Sequence, residues 1–129
     1  MSLEIAQAMV RDFHRTMEVS RRVTPGFHHE WLRRDLIAEE ARETLDAIKH
    51  GDFPEAIDGL CDLIYVCLGA ADVWGVDLSP IFAEVHRANM AKVGATRRED
   101  GKIEKPADWT PPDIYGQLKA QGWNGGTAD

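Results

Sequence analysis

A chain of 129 residues, 43% hydrophobic and 29% charged, is long enough to bury one core without disulfides or a structural metal, and its composition is that of a folded domain rather than a disordered one. A formal charge of -7 excludes a sequence-independent grip on a nucleic acid polymer, which needs a net basic surface. No apolar run reaches the roughly 18 residues of a membrane span. The opening "MSLEIAQAMVRDFHRTM" places acids where a secretory leader has bases. The expectation is one cytoplasmic domain over residues 1–129 with no membrane partner.

Apolar residues recur at helical spacing through residues 3–19, and "RRVTPGFHH" breaks the pattern at Pro25 and Gly26. A second amphipathic pattern runs from Glu30 to His50 and stops at Gly51. "DFPE" then reads as a helix start, with Asp52 as N-cap, Glu55 closing a capping box and Pro54 in the first turn. The third helix extends to about Trp74; Gly75 stops it, and Ser79-Pro80 opens a fourth over about 80–92. Beyond Val93 the chain turns polar and rich in Gly and Pro. The reading is a helical core over about 1–93, a basic arm with a short helix near 112–121 over about 94–121, and a frayed tail at 122–129.

These elements predict an all-α antiparallel bundle of four main helices plus a C-terminal arm. The third helix, "LCDLIYVCLGAADVW", is apolar almost all round, so the bundle is expected to be completed by homo-oligomerisation, as a homodimer or a tetramer. Cys61 and Cys67, six residues apart on that helix, are expected to be buried reduced thiols. Phe82 and Met90 are expected in the core.

The second helix carries an acidic cluster, "DLIAEEARETLDAI" at 35–48. Ile37, Ala41, Leu45 and Ile48 form one apolar stripe on its wheel, and Glu40 and Glu43 share a second stripe with Leu36 and Ala47. Asp35, Glu39 and Glu43 are like-charged i,i+4 neighbours, each pair costing a few tenths of a kcal/mol. Asp58 and Asp62 repeat that spacing at the start of the apolar third helix. A buried carboxylate must pair, protonate or bind a metal. A hairpin through "HGDFPE" brings the two sets face to face, and hard oxygen donors of this kind suit Mg²⁺, with Mn²⁺ as substitute. A ferritin-like di-iron centre needs Glu-x-x-His, and none of the five histidines has a Glu three residues before it.

The ordered set resembles the MazG-like all-α nucleoside triphosphate pyrophosphohydrolases, a superfamily that includes dimeric dUTPases and phosphoribosyl-ATP pyrophosphatase. Its pattern is EExxE on one helix and ExxD on the next. "EEARE" at 39–43 matches the first, and Asp62 matches the acid that closes the second. The Glu of ExxD falls at Gly59; Asp58, one residue earlier in "DGLCD", is the substitute suggested by spacing. Similarity extends over about 12–115 through "DFHRTM", "DLIYV", "GVDLSPIFAEVHRANMAKV" and "RREDGKIEKPADWTPPDI", and looks most like the bacterial branch that prefers dUTP.

The resemblance implies hydrolysis of a nucleoside triphosphate to monophosphate and pyrophosphate. It implies Glu40, Glu43 and Asp62 as metal ligands and Glu39 as a ligand or as the catalytic base for the attacking water. Asn89 and Lys92 would then contact the nucleotide, and Arg97, Arg98, Lys102 and Lys105 the triphosphate; five cations against three acids give residues 92–105 a local surplus of +2. His14 and Trp31 are candidates to touch the base. Two alternatives stand beside this reading: a phosphoribosyl-ATP pyrophosphatase, and a non-catalytic helical nucleotide-binding or dimerisation module.

Overall fold

The computed structural model describes residues 1–95 and 97–126, so the last three residues of the expected tail at 122–129 lie outside the described residues. Five helices follow in chain order: α1 Leu3–Thr16, α2 Glu30–Lys49, α3 Phe53–Val73, α4 Leu78–Met90 and α5 Ile114–Ala120. The protein is all-α; among the described residues the only extended pairing is an isolated antiparallel bridge between Arg97 and Ile103. No single helix among them is long and apolar enough to cross a membrane.

Local chemistry sets most of the boundaries. The Ser2 hydroxyl accepts the Ile5 N–H at 3.2 Å, and Asp52 accepts the Glu55 N–H at 3.2 Å, which satisfies first-turn donors that the helix leaves free. Gly51 has φ +69° and passes its N–H to Ile48 O, while Asp52 N–H returns to Ala47 O. This left-handed closure ends α2 and turns the chain tightly into α3. The fourth helix starts two residues earlier than expected. Asp77 caps it, accepting the Ser79 N–H at 3.0 Å, and Gln7 of α1 donates to the same carboxylate at 3.0 Å. The Gln7 bond is the largest cause holding the Asp77 carboxyl below the usual range. A partner from a distant helix therefore selects Asp77 over Ser79.

The α2–α3 hairpin is the main packing unit, α1 lies against α3, and α4 rests on α1 and α5. The loop after α1 crosses the end of α3, where Arg22 N–H reaches Val73 O and the Trp74 indole donates to His28 O at 3.0 Å. Gly75, at φ +69°, allows this crossing, because a Cβ there would come within 2.8 Å of Thr24 O.

Few large side chains are buried. Val10 and Val73 are fully enclosed, joined by Leu68, Ile81 and a set of alanines. Much of the larger apolar surface faces outward: Ile57, Leu60 and Ile64 of α3 are 44, 46 and 57% exposed, and Leu45 and Ile48 of α2 are exposed too. Cys61 and Cys67 are exposed in the single chain rather than buried. Phe82 and Met90 are likewise exposed, not core. In each case the side chain lies on a helix face that no element of its own chain covers. Packing chooses between the two stripes of α2. Arg33, Thr44 and Ala47 are buried while Leu45 and Ile48 point away, because Thr44 is drawn against the bare backbone of Gly59.

Candidate active site

Thr44 opposite Gly59 and Arg33 opposite Gly69 fix the antiparallel register of α2 and α3. With about 100° of rotation per residue, this register turns Glu39 and Glu43 of α2 and Asp58 and Asp62 of α3 to the same side of the hairpin. The apolar row Ile57, Leu60 and Ile64 turns to the opposite side. Tyr65, Gly69 and Asp72 continue the acidic row of α3 toward its C-terminus. Here α1 covers it: Phe13 meets Tyr65 edge-on with ring centroids 5.9 Å apart, and His14 Nδ1 lies 2.7 Å from Asp72 Oδ2. The acids lie in the stretch that α1 leaves open.

Glu40 is the pivot of the cluster. Glu39, Glu43, Asp58 and Asp62 are exposed, contrary to the expectation of buried acids, whereas Glu40 is half-buried at the helix seam. Its Oε2 is buried and has no hydrogen-bond partner. Its pKa is raised, first by desolvation and then by the like charges of Glu43, Asp62 and Glu39. An orphaned carboxylate oxygen beside three other acids is the arrangement that a divalent cation relieves. Among the described residues no three His, Cys, Asp or Glu side chains already close around one point as ligands. The donor chemistry fits an oxygen-seeking ion, with Glu40, Glu43 and Asp62 as the convergent group and Glu39 at its edge. Asp58, one turn N-terminal of Asp62, is not among the charges acting on Glu40.

The departure at Gly59 has a packing cause. A Cβ at residue 59 would fall 2.5 Å from Thr44 Oγ1 and 3.1 Å from Thr44 Cα. The position points into the helix seam, not onto the acidic face, so a glutamate there is excluded and Asp58 and Asp62 carry the acids of α3. Gly59→Glu is therefore expected to destabilise the fold by about 1–3 kcal/mol through overpacking, and to leave turnover no higher than in the parent. Urea melts and a rate assay check this, and a faster variant of unchanged stability refutes it.

The remaining candidates make their contacts elsewhere than with these carboxylates. Lys92 and Lys105 flank the Trp109 ring, 5.3 and 4.7 Å from its centroid, and Lys92 Nζ donates to Asn89 Oδ1 at 3.1 Å. The Trp109 indole donates to Ala88 O at 2.6 Å, and this pins the arm to α4. Arg98 pairs with Asp100 at 2.6 Å, inside the short turn bridged by Arg97 and Ile103. Lys102 is exposed, on that same turn. Among the described residues no hydrogen bond or ion pair joins the arm to the carboxylates. Trp31 is 70% exposed, with Arg34 over its ring at 5.5 Å. His14 is buried and bound to Asp72, whose other oxygen accepts from Arg21 Nε at 3.1 Å. A cavity of about 540 Å³, lined by Gln7, Arg11, Arg21, Asp72 and Asp77 among others, has none of the acidic cluster in its lining.

Sequence reasoning passed over Arg33 and Asp72, although signals for both existed. Asp72 is a lone acid in an apolar run, ten residues after Asp62 on the same side of α3, and Arg33 lies two turns before Glu40 on the same stripe of α2.

The fold and the site together define an all-α protein whose helical hairpin carries acids from both arms on one side, one of them half-buried. The phosphoribosyl-ATP pyrophosphohydrolase family matches residues 10–89, 80 of the 129, and the chain belongs to that family, within the MazG-like all-α nucleoside triphosphate pyrophosphohydrolases. Its members form a pyrophosphohydrolase family acting on phosphoric anhydrides. The match spans α2, α3 and the acids, and ends before the arm. An uncharacterized protein of Acanthamoeba polyphaga mimivirus is 40% identical over 47 residues, which are 36% of this chain and 19% of that relative. The chain thus covers only about a fifth of the length of that relative.

Proposed function

We propose that this protein is a Mg²⁺-dependent nucleoside triphosphate pyrophosphohydrolase that converts dUTP or another noncanonical nucleotide to its monophosphate and pyrophosphate. The observation that carries this reading is the buried, unpartnered Oε2 of Glu40 amid Glu39, Glu43 and Asp62. A bound divalent ion supplies charge neutralisation at the phosphates and orients the leaving group. Glu40, Glu43 and Asp62 hold it, with Asp58 as an additional ligand. Glu39, exposed at the rim, takes the proton of the attacking water or adds a ligand.

In this reading the protein acts as a homodimer in the cytoplasm. The outward row Ile57, Leu60 and Ile64, with Leu45 and Ile48 beside it, forms a patch of the kind monomers rarely leave in water. It lies on the side of the hairpin opposite the acids, so burying it leaves the site open. Asn89, Lys92, Arg97, Arg98, Lys102 and Lys105 are assigned to the phosphates, brought to the acids by assembly rather than within one chain.

The test is a panel of dUTP, the other deoxynucleoside triphosphates and phosphoribosyl-ATP with Mg²⁺ or Mn²⁺, read by product. Pyrophosphate from dUTP is expected. Orthophosphate as first product refutes the mechanism. Turnover of phosphoribosyl-ATP alone selects the second reading, and metal binding without turnover selects a non-catalytic module.

A further inference from the structure

Two polar side chains on the inward stripe of α2 have buried atoms without partners: Glu40 at Oε2 and Arg33 at Nε. Seven residues separate them, two helical turns or about 10 Å along the axis. Arg33 is 7% exposed. Its guanidinium lies over Gly69, where a Cβ would stand 3.1 Å from Arg33 Nη1 and 3.4 Å from His14 Nε2. The bare backbone of Gly69 thus admits both side chains to one spot. Asp72 supplies the compensating charge for Arg33, but its oxygens are already engaged, one by His14 and the other by Arg21. Two guanidiniums share the field of one carboxylate, and among the described residues Arg33 Nε has no hydrogen-bond partner.

A buried donor without an acceptor is costly, and in native proteins it calls for an explanation. The placement supplies one. Arg33 lies on the hairpin that carries the acids, beyond their C-terminal end on α3, and too far along α2 for its ligand to share an ion held at Glu40. A nucleotide whose phosphates are gathered at Glu40, Glu43 and Asp62 has only its nucleoside to extend that far. Arginine offers donors and no acceptor, so its complement on the nucleoside is a carbonyl oxygen of the base. His14, with Nδ1 held 2.7 Å from Asp72 Oδ2, places Nε2 beside it as a second polar group for the ring.

We infer that Arg33 is a specificity-determining residue that hydrogen-bonds a base carbonyl, with Asp72 and Gly69 positioning it and His14 alongside. This rests on the proposed triphosphate site. It adds a base-reading point made of groups that the acidic motif does not include.

Binding separates this inference from the catalytic one. Titrating dUTP and inorganic tripolyphosphate, with Ca²⁺ in place of Mg²⁺, into the full chain and into Arg33→Met should show dUTP weakened on the order of ten- to a hundredfold, the loss of a hydrogen bond from a charged donor. Tripolyphosphate, which has no base, should bind the variant as it binds the parent. That unchanged affinity also reports that the variant is folded. Arg33→Lys, which keeps the charge, should recover part of the dUTP affinity. Equal weakening of both ligands, or of neither, overturns the inference. So does a parent chain that binds dUTP no more tightly than tripolyphosphate, whether or not it releases pyrophosphate. Pyrophosphate release with unaltered dUTP affinity in Arg33→Met would leave the catalytic reading intact and remove this one.

Discussion

Glu40→Gln should produce an enzyme that is more stable and inactive. Desolvation and the charges of Glu43, Asp62 and Glu39 raise the pKa of the Glu40 carboxyl. A raised folded-state pKa means that the ionised form is disfavoured by folding. The metal-free protein is then penalised as pH rises above the unfolded value of about 4.3. The amide removes that penalty, so Glu40→Gln should melt above the parent at pH 7 without metal, and the difference should vanish below about pH 4. Turnover should fall by at least about two orders of magnitude, the equivalent of a few kcal/mol of lost charge stabilisation in the transition state. Added Mg²⁺ should raise the melting temperature of the parent and not of the variant. A variant that melts lower at pH 7, or that keeps its rate, contradicts the assignment of Glu40 as the strained ligand. The two readouts must move in opposite directions, which a merely structural glutamate would not produce.

Ile64→Asp should yield a monomer. Ile57, Leu60 and Ile64 recur on the side of α3 opposite the acids and are 44, 46 and 57% exposed in the single chain. Fully burying such a side chain is worth about 1.5–3 kcal/mol. An aspartate at the end of the row would instead be an unpaired charge in an apolar interface, costing about 3 kcal/mol or more. That weakens association by over a hundredfold, at roughly tenfold for each 1.4 kcal/mol. Light scattering at micromolar concentration should give the mass of two chains for the parent and of one for Ile64→Asp. Val23→Asp, placed on the loop after α1 and 91% exposed, should leave the parent mass unchanged. A monomeric parent removes the dimer and, with it, the delivery of arm cations by assembly.

The helices and most of their ends were legible in the sequence because the deciding interactions are local. Asp52 reaches a donor three residues on, and Gly51 closes α2 by adopting a backbone that side-chain-bearing residues resist. The same locality made the acidic motif visible: EExxE spacing on one helix, two acids one turn apart on the next, and a hairpin too short to separate them. The family match over residues 10–89 covers that ordered pattern.

What each helix face meets was decided only in three dimensions. A hydrophobic wheel marks a stripe but not its partner: it left α2 with two, one of Ile37, Ala41, Leu45 and Ile48 and one of Leu36, Glu40, Glu43 and Ala47, and the close approach of Thr44 to Gly59 turned Arg33, Thr44 and Ala47 inward. That single contact also explains why residue 59 bears no acid and why Leu45 and Ile48 are left for another surface. Asp77 displaced Ser79 as a cap because Gln7, seventy residues away, reached its carboxylate. Arg33, His14 and Asp72 lie on three different helices, and no spacing rule connects them. Residue spacing constrains atoms within a few turns of one helix. The orphaned nitrogen of Arg33 and the orphaned oxygen of Glu40 arise from burial, which depends on how the helices pack together.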